Sequence, residues 1–373
     1  MLRAEAVVDL DAVRANVAEL ARRAGSAAVM AVVKADGYGH GAVPCARAAL
    51  EAGAQWLGVA LVEEALALRA AGLTAPLLVL LPPLDLLDEV IAADVELAVH
   101  SPGDLDRVVA ASERVGRRTR IQLKVDTGLG RGGQPATEWR ALVDAALAAR
   151  DHVEVSGVWS HLACSDTPTH PSVGAQHSAF LDAVDVAKSA GLQPDLLHLS
   201  NSGGLLGVPE ARFDLVRPGI ATYGLSPGPA HGTAHELGLR PAMTLRASVA
   251  LVKQLPAGHG IGYGHRYMTT ADTSTAVLPL GYADGIPRAA TGLVPLWLGG
   301  KRRTIAGTVS MDQVVVDLGD DAVEVGDEAL LFGPGDAGEP TADEWAAALG
   351  TIGYEIVTRL GPRVPRRYIG VSS

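Results

Sequence analysis

Residues 28–41 read AVMAVVKADGYGHG, an apolar run that ends on a lysine and a glycine-rich loop. The β-branched and apolar residues at 28–33 predict a buried strand. The pattern recurs, and we predict strands at 28–33, 56–60, 77–81, 96–99, 120–125, 154–159, 196–199 and 213–216. Helical stretches such as 62–71 and 139–149 lie between the strands and are long enough for parallel crossovers. Eight such units predict an α/β fold, a (β/α)8 barrel of the TIM type over residues 1–237.

The pattern changes after Tyr223, where Gly, Pro and His cluster over residues 224–238. Strand-like runs then dominate, at 243–254, 274–280, 294–298, 301–309, 313–318 and 328–332. One helical stretch, 342–349, follows Thr341 as its N-cap. We therefore predict a second, mainly β domain over residues 238–373.

Composition excludes several classes of protein. The 373 residues are 48% hydrophobic and 20% charged, which fits two globular domains rather than a disordered chain. A net charge of −11 disfavours binding to nucleic acid or to a membrane surface. Two cysteines do not make a disulfide framework, and Glu5, Asp9 and Asp11 interrupt any apolar signal sequence. We expect a cytoplasmic protein without a membrane span.

Polar residues follow the predicted strands of the barrel, where the active site of such a fold lies. Five strand ends contribute them, in the segments Lys34, Lys124 to Arg131, His161, Asn201-Ser202 and Arg217 to Ile220. We expect these side chains to meet at one mouth of the barrel.

Lys34 follows an apolar strand directly, which places its amine at the edge of a desolvating pocket and lowers its pKa. Such an amine suits a Schiff base. Ser202, Gly219 and Ile220 fit a phosphate site, to which Tyr38 could add a phenol. An amine and a phosphate site in a barrel predict pyridoxal 5′-phosphate as cofactor. The alternatives are a lysine that reaches solvent from a strand end and ordinary turn chemistry.

Arg217 would face the pyridine nitrogen of this cofactor. A guanidinium only donates hydrogen bonds, so the nitrogen would stay unprotonated. The ring would then be a weaker electron sink, which favours returning a proton to Cα over transamination. A structural ion pair is the alternative. The spacing of His161, His170 and His177 matches no metal site, so we predict no metal and expect His161 to support Arg217 or a tyrosine.

Four tyrosines lie in glycine-rich or charged contexts: Tyr38 in the loop after the first strand, Tyr263 in IGYGHRY, Tyr282 in LGYADGIPR and Tyr354 in TIGYEIVTRLG. The glycines that flank Tyr263 indicate a tight loop that presents the ring. A hairpin bend with a solvated hydroxyl is the alternative.

Taken together, these segments resemble the bacterial alanine racemases, which depend on pyridoxal phosphate. The resemblance covers almost the whole chain and rests on AVVKADGYGHG, KVDTGLGR, WSHLACSD, VRPGIATYG, GYGHRY, LGYADGIPR, SMDQ and YEIVTRLGPRVPR in this order. It implies an N-terminal barrel, a C-terminal β domain and a head-to-tail homodimer with shared active sites. It also implies interconversion of L-alanine and D-alanine, with D-alanine supplied for peptidoglycan.

The resemblance assigns a role to each matching position. Lys34 would bind the cofactor and exchange the α-proton of D-alanine, and Tyr263 from the partner subunit would exchange that of L-alanine. The phosphate-binding positions of the family match Tyr38, Ser202, Gly219, Ile220 and Tyr354. Arg217 matches the partner of the pyridine nitrogen and His161 its neighbour, and Arg131 would contact the cofactor phenolate and the substrate carboxylate. Lys124 matches a lysine that is often carbamylated to N6-carboxylysine, and the substrate wall and its gate match Met311, Asp312, Tyr282 and Tyr354. One departure is Ser310, where many members have cysteine.

Three other functions stay open on the sequence. A serine racemase or one of broad specificity would differ only in the size of its pocket. A fold-related decarboxylase would not need a tyrosine opposite the lysine. A non-catalytic cofactor-binding protein with the same barrel would resemble only the first domain, and the presence of Tyr263 and Asp312 speaks against it.

Overall fold

Eight strands form a parallel ring in the first part of the computed structural model, which describes residues 3–370. The elements of this part are β1 (Ala4–Asp9), α1 (Leu10–Ala24), β2 (Ala28–Val32), α2 (Lys34–Tyr38), α3 (Ala42–Glu51), β3 (Trp56–Val59), α4 (Val62–Ala70), β4 (Leu77–Val79), α5 (Leu87–Ala92), β5 (Glu96–Val99), α6 (Pro102–Val115), β6 (Thr119–Asp126), β7 (Gln134–Pro135), α7 (Trp139–Ala148), β8 (Val153–Trp159), α8 (Pro171–Ser189), β9 (Leu196–His198), α9 (Ser202–Gly207) and β10 (Leu215–Val216).

The ring has the strand order β10-β2-β3-β4-β5-β6-β8-β9. Two backbone hydrogen bonds, Asp214 N to Leu197 O and Arg217 N to Ser200 O, connect the segments of β9 and β10 and bring the ends of the sheet together. The predicted (β/α)8 barrel is confirmed, and β5 has the predicted bounds, 96–99.

Alternate residues of each strand enter two different cores. Val29 and Ala31 face the surrounding helices, whereas Met30 points inward with Trp56 and Leu78. This period of two is what a strand buried on both faces requires. Because the barrel strands are parallel, their carboxyl ends meet at one mouth, where the functional residues lie.

The second part is mainly β, as predicted. Its elements are β11 (Met243–Ser248), β12 (Leu251–Leu255), β13 (Gly260–Ile261), β14 (Tyr267–Met268), β15 (Thr273–Leu278), β16 (Pro295–Leu298), β17 (Lys301–Thr304), β18 (Val314–Gly319), β19 (Glu328–Phe332), α10 (Ala342–Leu349), α11 (Gly353–Thr358) and β20 (Arg366–Ile369). They form a six-stranded sheet in the order β17-β16-β19-β11-β1-β20, a three-stranded sheet in the order β12-β15-β18, and the hairpin β13-β14.

The prediction of one strand over 243–254 is wrong. The backbone N–H of Val249 donates to Asp327 beside the six-stranded sheet, and that of Ala250 donates to Val277 of the three-stranded sheet. The chain therefore changes sheet between β11 and β12, although its apolar pattern continues.

β1 lies in the six-stranded sheet. It pairs antiparallel with β11, with Ala6 opposite Leu245, and parallel with β20, with Val7 opposite Arg367. Residues 4–9 thus pair with strands from the far end of the chain, although the sequence assigns 1–237 to the barrel; the boundary after residue 237 stays a prediction. Among residues 3–370, no helix has the length and apolar character that a bilayer crossing needs.

Glu5→Gln is expected to lower the free energy of unfolding by about 1–3 kcal/mol, because the buried carboxylate accepts hydrogen bonds from the guanidinium groups of Arg246 and Arg367. Urea unfolding measures this. Glu328→Gln is the matched control: Glu328 pairs with the same Arg246 but is partly exposed, so about 0–1 kcal/mol is expected. Equal losses in the two variants would contradict the role of burial.

The effect of Glu5→Gln should depend on pH. Burial alone would raise the pKa of Glu5, but the Arg246 and Arg367 guanidinium groups together lower it. Because the native pKa lies below that of the unfolded chain, the stabilisation is present above about pH 4.3 and is lost as the pH falls through the native value. The difference between wild type and Glu5→Gln should therefore shrink in acid.

Candidate active site

The carboxyl ends of the barrel strands surround a cavity of about 640 Å³. Ten of the residues that the sequence singles out line it: Lys34, Tyr38, Lys124, Arg131, His161, Ser202, Arg217, Gly219, Ile220 and Tyr354. The barrel thus brings together side chains that lie up to 320 positions apart in the chain.

Lys34 follows β2 and begins a turn of unusual backbone conformation. Ala35, Asp36 and Tyr38 have φ values of 52°, 52° and 53°, in the left-handed region that costs energy for residues other than glycine. Two carboxylates hold this turn: Glu64 accepts from the N–H of Ala35 at 2.6 Å, and Asp36 accepts from that of Ala42 at 2.8 Å. The strained turn places both Lys34 and the Tyr38 phenol at the cavity.

The electrostatics favour the neutral form of the Lys34 amine. Burial lowers its pKa, and the positive charge of Arg131 lowers it further, while Glu64 acts in the opposite direction. A lysine with a lowered pKa can serve as a nucleophile or base near neutral pH.

Hydroxyl and backbone N–H groups gather on the side of the cavity formed after β9 and β10. The hydroxyl of Ser202 accepts from the N–H of Gly219 at 2.9 Å and from that of Ala221 at 3.3 Å. Tyr38 lies so close that a Cβ added at Gly219 would be 2.2 Å from its hydroxyl oxygen. Burial raises the pKa of Tyr38 and of Tyr354, which keeps both phenols neutral and able to donate. This region can bind a phosphate group.

Arg217 is buried at the end of β10. Its NH1 group donates to His198 Nδ1 at 2.7 Å, and its NH2 group donates to the carbonyl oxygen of Ser160 at 2.7 Å. Burial lowers the pKa of Arg217 to about 9, so the guanidinium stays charged near neutral pH. No carboxylate of the described residues forms an ion pair with it, so the geometry does not support the alternative of a structural ion pair.

His161 lies beside Arg217, whose NH2 group is 3.3 Å from His161 Nδ1. Burial, followed by the positive charge of Arg217, lowers the pKa of His161 well below its usual value. A neutral His161 can accept a hydrogen bond from the guanidinium. Among residues 3–370 no group of three His, Cys, Asp or Glu side chains is arranged to hold a metal ion.

Lys124 ends near the ring of Trp159, with Nζ 4.5 Å from the ring centroid. Burial lowers the pKa of Lys124 to about 8, with further contributions from Arg217 and Arg131. The loop that carries Arg131 is organised by Asp126, whose carboxylate accepts from the N–H groups of residues 128, 129 and 130. Sequence reasoning assigns no role to Asp126, because its spacing from other acidic residues is not diagnostic of a carboxylate pair.

Sequence reasoning also missed Trp159 and His198, the last residues of β8 and β9. Their rings stack at 5.7 Å with an interplanar angle of 3°, beneath Arg217. Both strands were predicted, but the inward direction of Trp159 depends on the pairing of β6 and β8, where the register shifts between Ile121 and Gln122. His198 is the pairing partner of Trp159 on β9. The one signal in the sequence for Trp159 and His198 was their position near the end of a predicted strand.

Four predicted residues do not line this cavity. Tyr263, Tyr282, Met311 and Asp312 lie on an outer surface of the second part, which we call the exposed tyrosine face. The Thr308 hydroxyl donates to the carbonyl of Tyr263, and the Tyr282 N–H donates to the carbonyl of Ser310. The loop 308–312 therefore connects the four residues.

Tyr263 is the most exposed of them, with 72% of its surface accessible. The glycines on both sides have φ values of 70° and 72°, so the loop projects the ring as the sequence indicates. Asp312 pairs with Arg363 at 2.7 Å. Within a single chain the Tyr263 hydroxyl faces solvent, and this face is available to a second molecule.

The donors of the cavity fit pyridoxal 5′-phosphate. Four cationic side chains line it, those of Lys34, Lys124, Arg131 and Arg217, and none of the described lining residues is acidic. An anionic phosphate ester matches this charge. Because Gly219 has no side chain, the Tyr38 phenol can lie against its backbone beside the Ser202 hydroxyl. An amine, a phosphate-binding region and a buried guanidinium are thus all present.

Comparisons with known proteins agree with this arrangement. The family model "Alanine racemase, N-terminal domain" matches residues 8–227, and "Alanine racemase, C-terminal domain" matches residues 242–368. An alanine racemase of Frankia casuarinae is 60% identical over 371 residues, 99% of this chain and 97% of the relative. An alanine racemase of Streptomyces coelicolor is 54% identical over 377 residues, 99% of this chain and 96% of the relative.

Solved structures give the same result. The crystal structure of alanine racemase from the D-cycloserine-producing Streptomyces lavendulae has a TM-score of 0.98 and 54% identity, covering 100% of this chain and 98% of the other. Alanine racemase from Bacillus anthracis with bound L-Ala-P has a TM-score of 0.90 and 35% identity, covering 99% and 95%.

Proposed function

Since the chain belongs to the alanine racemase family, we propose that this isomerase interconverts L-alanine and D-alanine with pyridoxal 5′-phosphate as its cofactor. The observation that carries the proposal is the cavity in which the amine of Lys34, the hydroxyls of Tyr38 and Ser202, and the buried guanidinium of Arg217 converge. These groups are what binding and orienting the cofactor require.

Each group of the cavity has a part in holding the cofactor. Lys34 would bind its aldehyde carbon covalently, and Arg217 would donate to its ring nitrogen. Arg131 would contact its phenolate oxygen and the substrate carboxylate. The phosphate would be bound by Tyr38, Ser202, Gly219, Ile220 and Tyr354. When bound, the cofactor binds the substrate amino group and makes the α-proton acidic.

Lys34 would move the proton on one face of the substrate. The lowered pKa of Lys34 would let its amine take a proton from Cα of D-alanine or return one. Inversion at Cα needs a second acid or base on the opposite face. The cavity of the single chain does not include Tyr263, so we propose that the exposed tyrosine face of a partner subunit closes the site in a head-to-tail homodimer. There Tyr263 would exchange the α-proton of L-alanine.

The rest of the exposed tyrosine face would limit the space around the substrate. Met311 and Asp312 would form its wall, and Tyr282 with Tyr354 its gate. Arg217 would keep the ring nitrogen unprotonated, which disfavours transamination, and the neutral His161 would support the guanidinium. We further propose that the protein acts in the cytoplasm and supplies D-alanine for peptidoglycan, as the family implies.

Lys124 is expected to carry a carbamate. A neutral amine attacks carbon dioxide, a nitrogen–carbon bond forms and a proton leaves, and Arg131 and Arg217 would stabilise the resulting anion. Because the pKa of Lys124 is about 8, the amine is protonated and unreactive well below that pH and neutral above it. In ¹³C-bicarbonate, a carbamate signal should grow from about pH 6 to about pH 9.

Two variants check the origin of that signal. Lys124→Arg should remove the carbamate resonance, whereas Lys188→Arg, which changes an exposed lysine of α8, should leave it unchanged. An intact mass at neutral pH that shows only the bare amine would contradict the modification.

Incubating the purified, cofactor-loaded protein with L-alanine and separating the enantiomers tests the proposed function. Formation of D-alanine supports the racemase, release of carbon dioxide would indicate a decarboxylase, and no turnover would indicate a binding protein. Parallel reactions with L-serine measure substrate breadth. The match to the C-terminal family model over residues 242–368 favours a racemase over a binding protein that has only the barrel.

A further inference from the structure

A chain of hydrogen bonds crosses the interior of the barrel below the cavity. Arg217 NH1 lies 2.7 Å from His198 Nδ1, and His198 Nε2 lies 2.7 Å from Gln122 Oε1. Gln122 Nε2 is then 2.8 Å from Glu96 Oε2. We call this series of hydrogen bonds the relay; it begins at the active-site guanidinium and ends at a carboxylate on β5.

The two ends fix the direction of every hydrogen bond between them. A guanidinium only donates and a carboxylate only accepts. The Glu96 carboxylate also accepts from the Ser156 hydroxyl at 2.6 Å and pairs with Arg120 at 2.8 Å, as an ionised group does. Gln122 must therefore turn its NH₂ group toward Glu96 and its oxygen toward His198.

His198 then has one tautomer that satisfies both neighbours. Its Nε2 must carry the proton that Gln122 accepts, and its Nδ1 must offer the lone pair that accepts from Arg217. Burial, together with the positive charge of Arg217, lowers the pKa of His198 well below its usual value, so the ring is neutral.

The relay places polar residues at positions in the barrel core that are elsewhere apolar. His198 and Gln122 are fully buried, whereas Met30 and Leu78 are typical of the inward positions on β2 and β4. Gly157 leaves the space that the Gln122 amide fills, because a Cβ there would lie 3.2 Å from the amide carbon. Replacing a buried polar network by well-packed apolar residues of similar volume is often neutral or stabilising, so stability alone does not require these polar residues.

We propose that Glu96 and Gln122 are positioning residues for Arg217: they fix the tautomer of His198, which in turn holds NH1 of the guanidinium, while Ser160 and Leu199 hold NH2, so that the N–H groups without a protein partner face the cavity. The inference rests on the proposed function, because the ligand of those groups is the ring nitrogen of the cofactor. Orientation of Arg217 then keeps that nitrogen unprotonated and protects the enzyme from transamination during turnover.

Nuclear magnetic resonance of ¹⁵N-histidine-labelled protein reads the tautomer directly. The protein has 11 histidines. Comparing its spectrum with that of the His198→Asn variant identifies the signals of His198, because the variant lacks them. We expect the neutral Nε2–H form in wild type, with and without cofactor. An imidazolium or an Nδ1–H form in the wild-type protein would overturn the proposal, and this measurement does not require turnover.

Two substitutions of Glu96 then separate the effects of its negative charge, its hydrogen-bond acceptor and its side-chain volume. In Glu96→Met the Gln122 amide can turn, so both tautomers of His198 should appear in the spectrum. The rate at which the enzyme loses its cofactor absorption during turnover should rise about tenfold, which corresponds to the loss of one buried hydrogen bond. Glu96→Gln retains an acceptor and should restore the wild-type values. Ser156→Ala removes a neighbouring donor from the same carboxylate and should leave the tautomer unchanged.

A merely structural role predicts a different result. Glu96→Met would then lower the unfolding midpoint without changing the tautomer of His198 or the stability of the cofactor during turnover, and this outcome would overturn the proposal. If wild type shows the Nε2–H tautomer but forms no D-alanine, the proposed function fails while the relay stands. The two results are therefore distinguishable.

Discussion

Lys34→Ala should abolish the absorption band of the lysine-bound cofactor and reduce alanine racemisation by at least about 10³-fold. The side chain has two parts in the proposed mechanism, as the covalent attachment and as a base. The Lys34 amine lines the cavity, and burial lowers its pKa. Lys34 also begins the left-handed turn that places Tyr38 at the cavity. Absorption spectra and chiral analysis of alanine measure the two losses.

Borohydride reduction identifies the lysine involved. In wild type, reduction followed by peptide mapping should find the cofactor on Lys34. Lys188→Ala, on the exposed side of α8, should retain both the band and the activity. If Lys34→Ala keeps the band and borohydride traps the cofactor on Lys124, the assignment is wrong.

Tyr263→Phe is expected to suppress exchange of the α-hydrogen of L-alanine with solvent deuterium by about 10²–10⁴-fold, and that of D-alanine much less. The substitution removes only the hydroxyl, which is the proton carrier on one face, while Lys34 still serves the other. Proton resonance spectra of each enantiomer in deuterium oxide give the two rates separately. Racemisation itself, which needs both faces, should fall with the slower exchange.

Tyr267→Phe is a matched control for the loss of a phenol. The Tyr267 hydroxyl donates to Asp317 at 2.6 Å, and neither residue lines the cavity. Its loss should change stability but affect both exchange rates equally. Equal suppression for the two enantiomers in Tyr263→Phe would contradict the division of labour between two bases.

Mixing the two inactive variants tests whether the site is shared between subunits. A heterodimer of Lys34→Ala and Tyr263→Phe chains would carry both changes in one site and neither in the other. Equal mixing with subunit exchange should restore about a quarter of the wild-type activity, because half of the dimers have one intact site of two. No recovery, in a mixture shown to contain heterodimers, would place both bases in one chain.

The fold was predictable where local pattern and topology agree. Eight apolar runs separated by helical stretches gave the barrel, and even the short strand at Glu96 was correctly bounded. The run 243–254 was wrongly predicted as one strand, because the chain passes from one sheet to the other at Val249, which changes its hydrogen-bond partners and not its apolar pattern. The place of β1 depends on residues more than 230 positions away and left no local signal.

The cavity was predictable for a different reason. Parallel strands must end at one mouth, so polar residues at the strand ends were expected to meet, and Lys34, Lys124, Arg131, His161, Ser202 and Arg217 do. Trp159 was missed because its inward direction depends on a register shift between β6 and β8 that sequence alone does not reveal. His198 was missed because it turns inward as the pairing partner of Trp159. The position of Tyr263 beside a second cavity remains a proposal, since it depends on a surface that one chain does not bury.

The pairing of β1 with β11 and β20 bears on how the protein is synthesised. When the barrel leaves the ribosome, the first strand lacks both of its neighbours, because β11 and β20 are synthesised more than 230 residues after it. A fragment ending near residue 237 would carry that strand with two unpaired edges, which favour aggregation. Nascent chains should therefore depend on chaperones until β20 has been synthesised, and separate expression of the two halves should yield insoluble material.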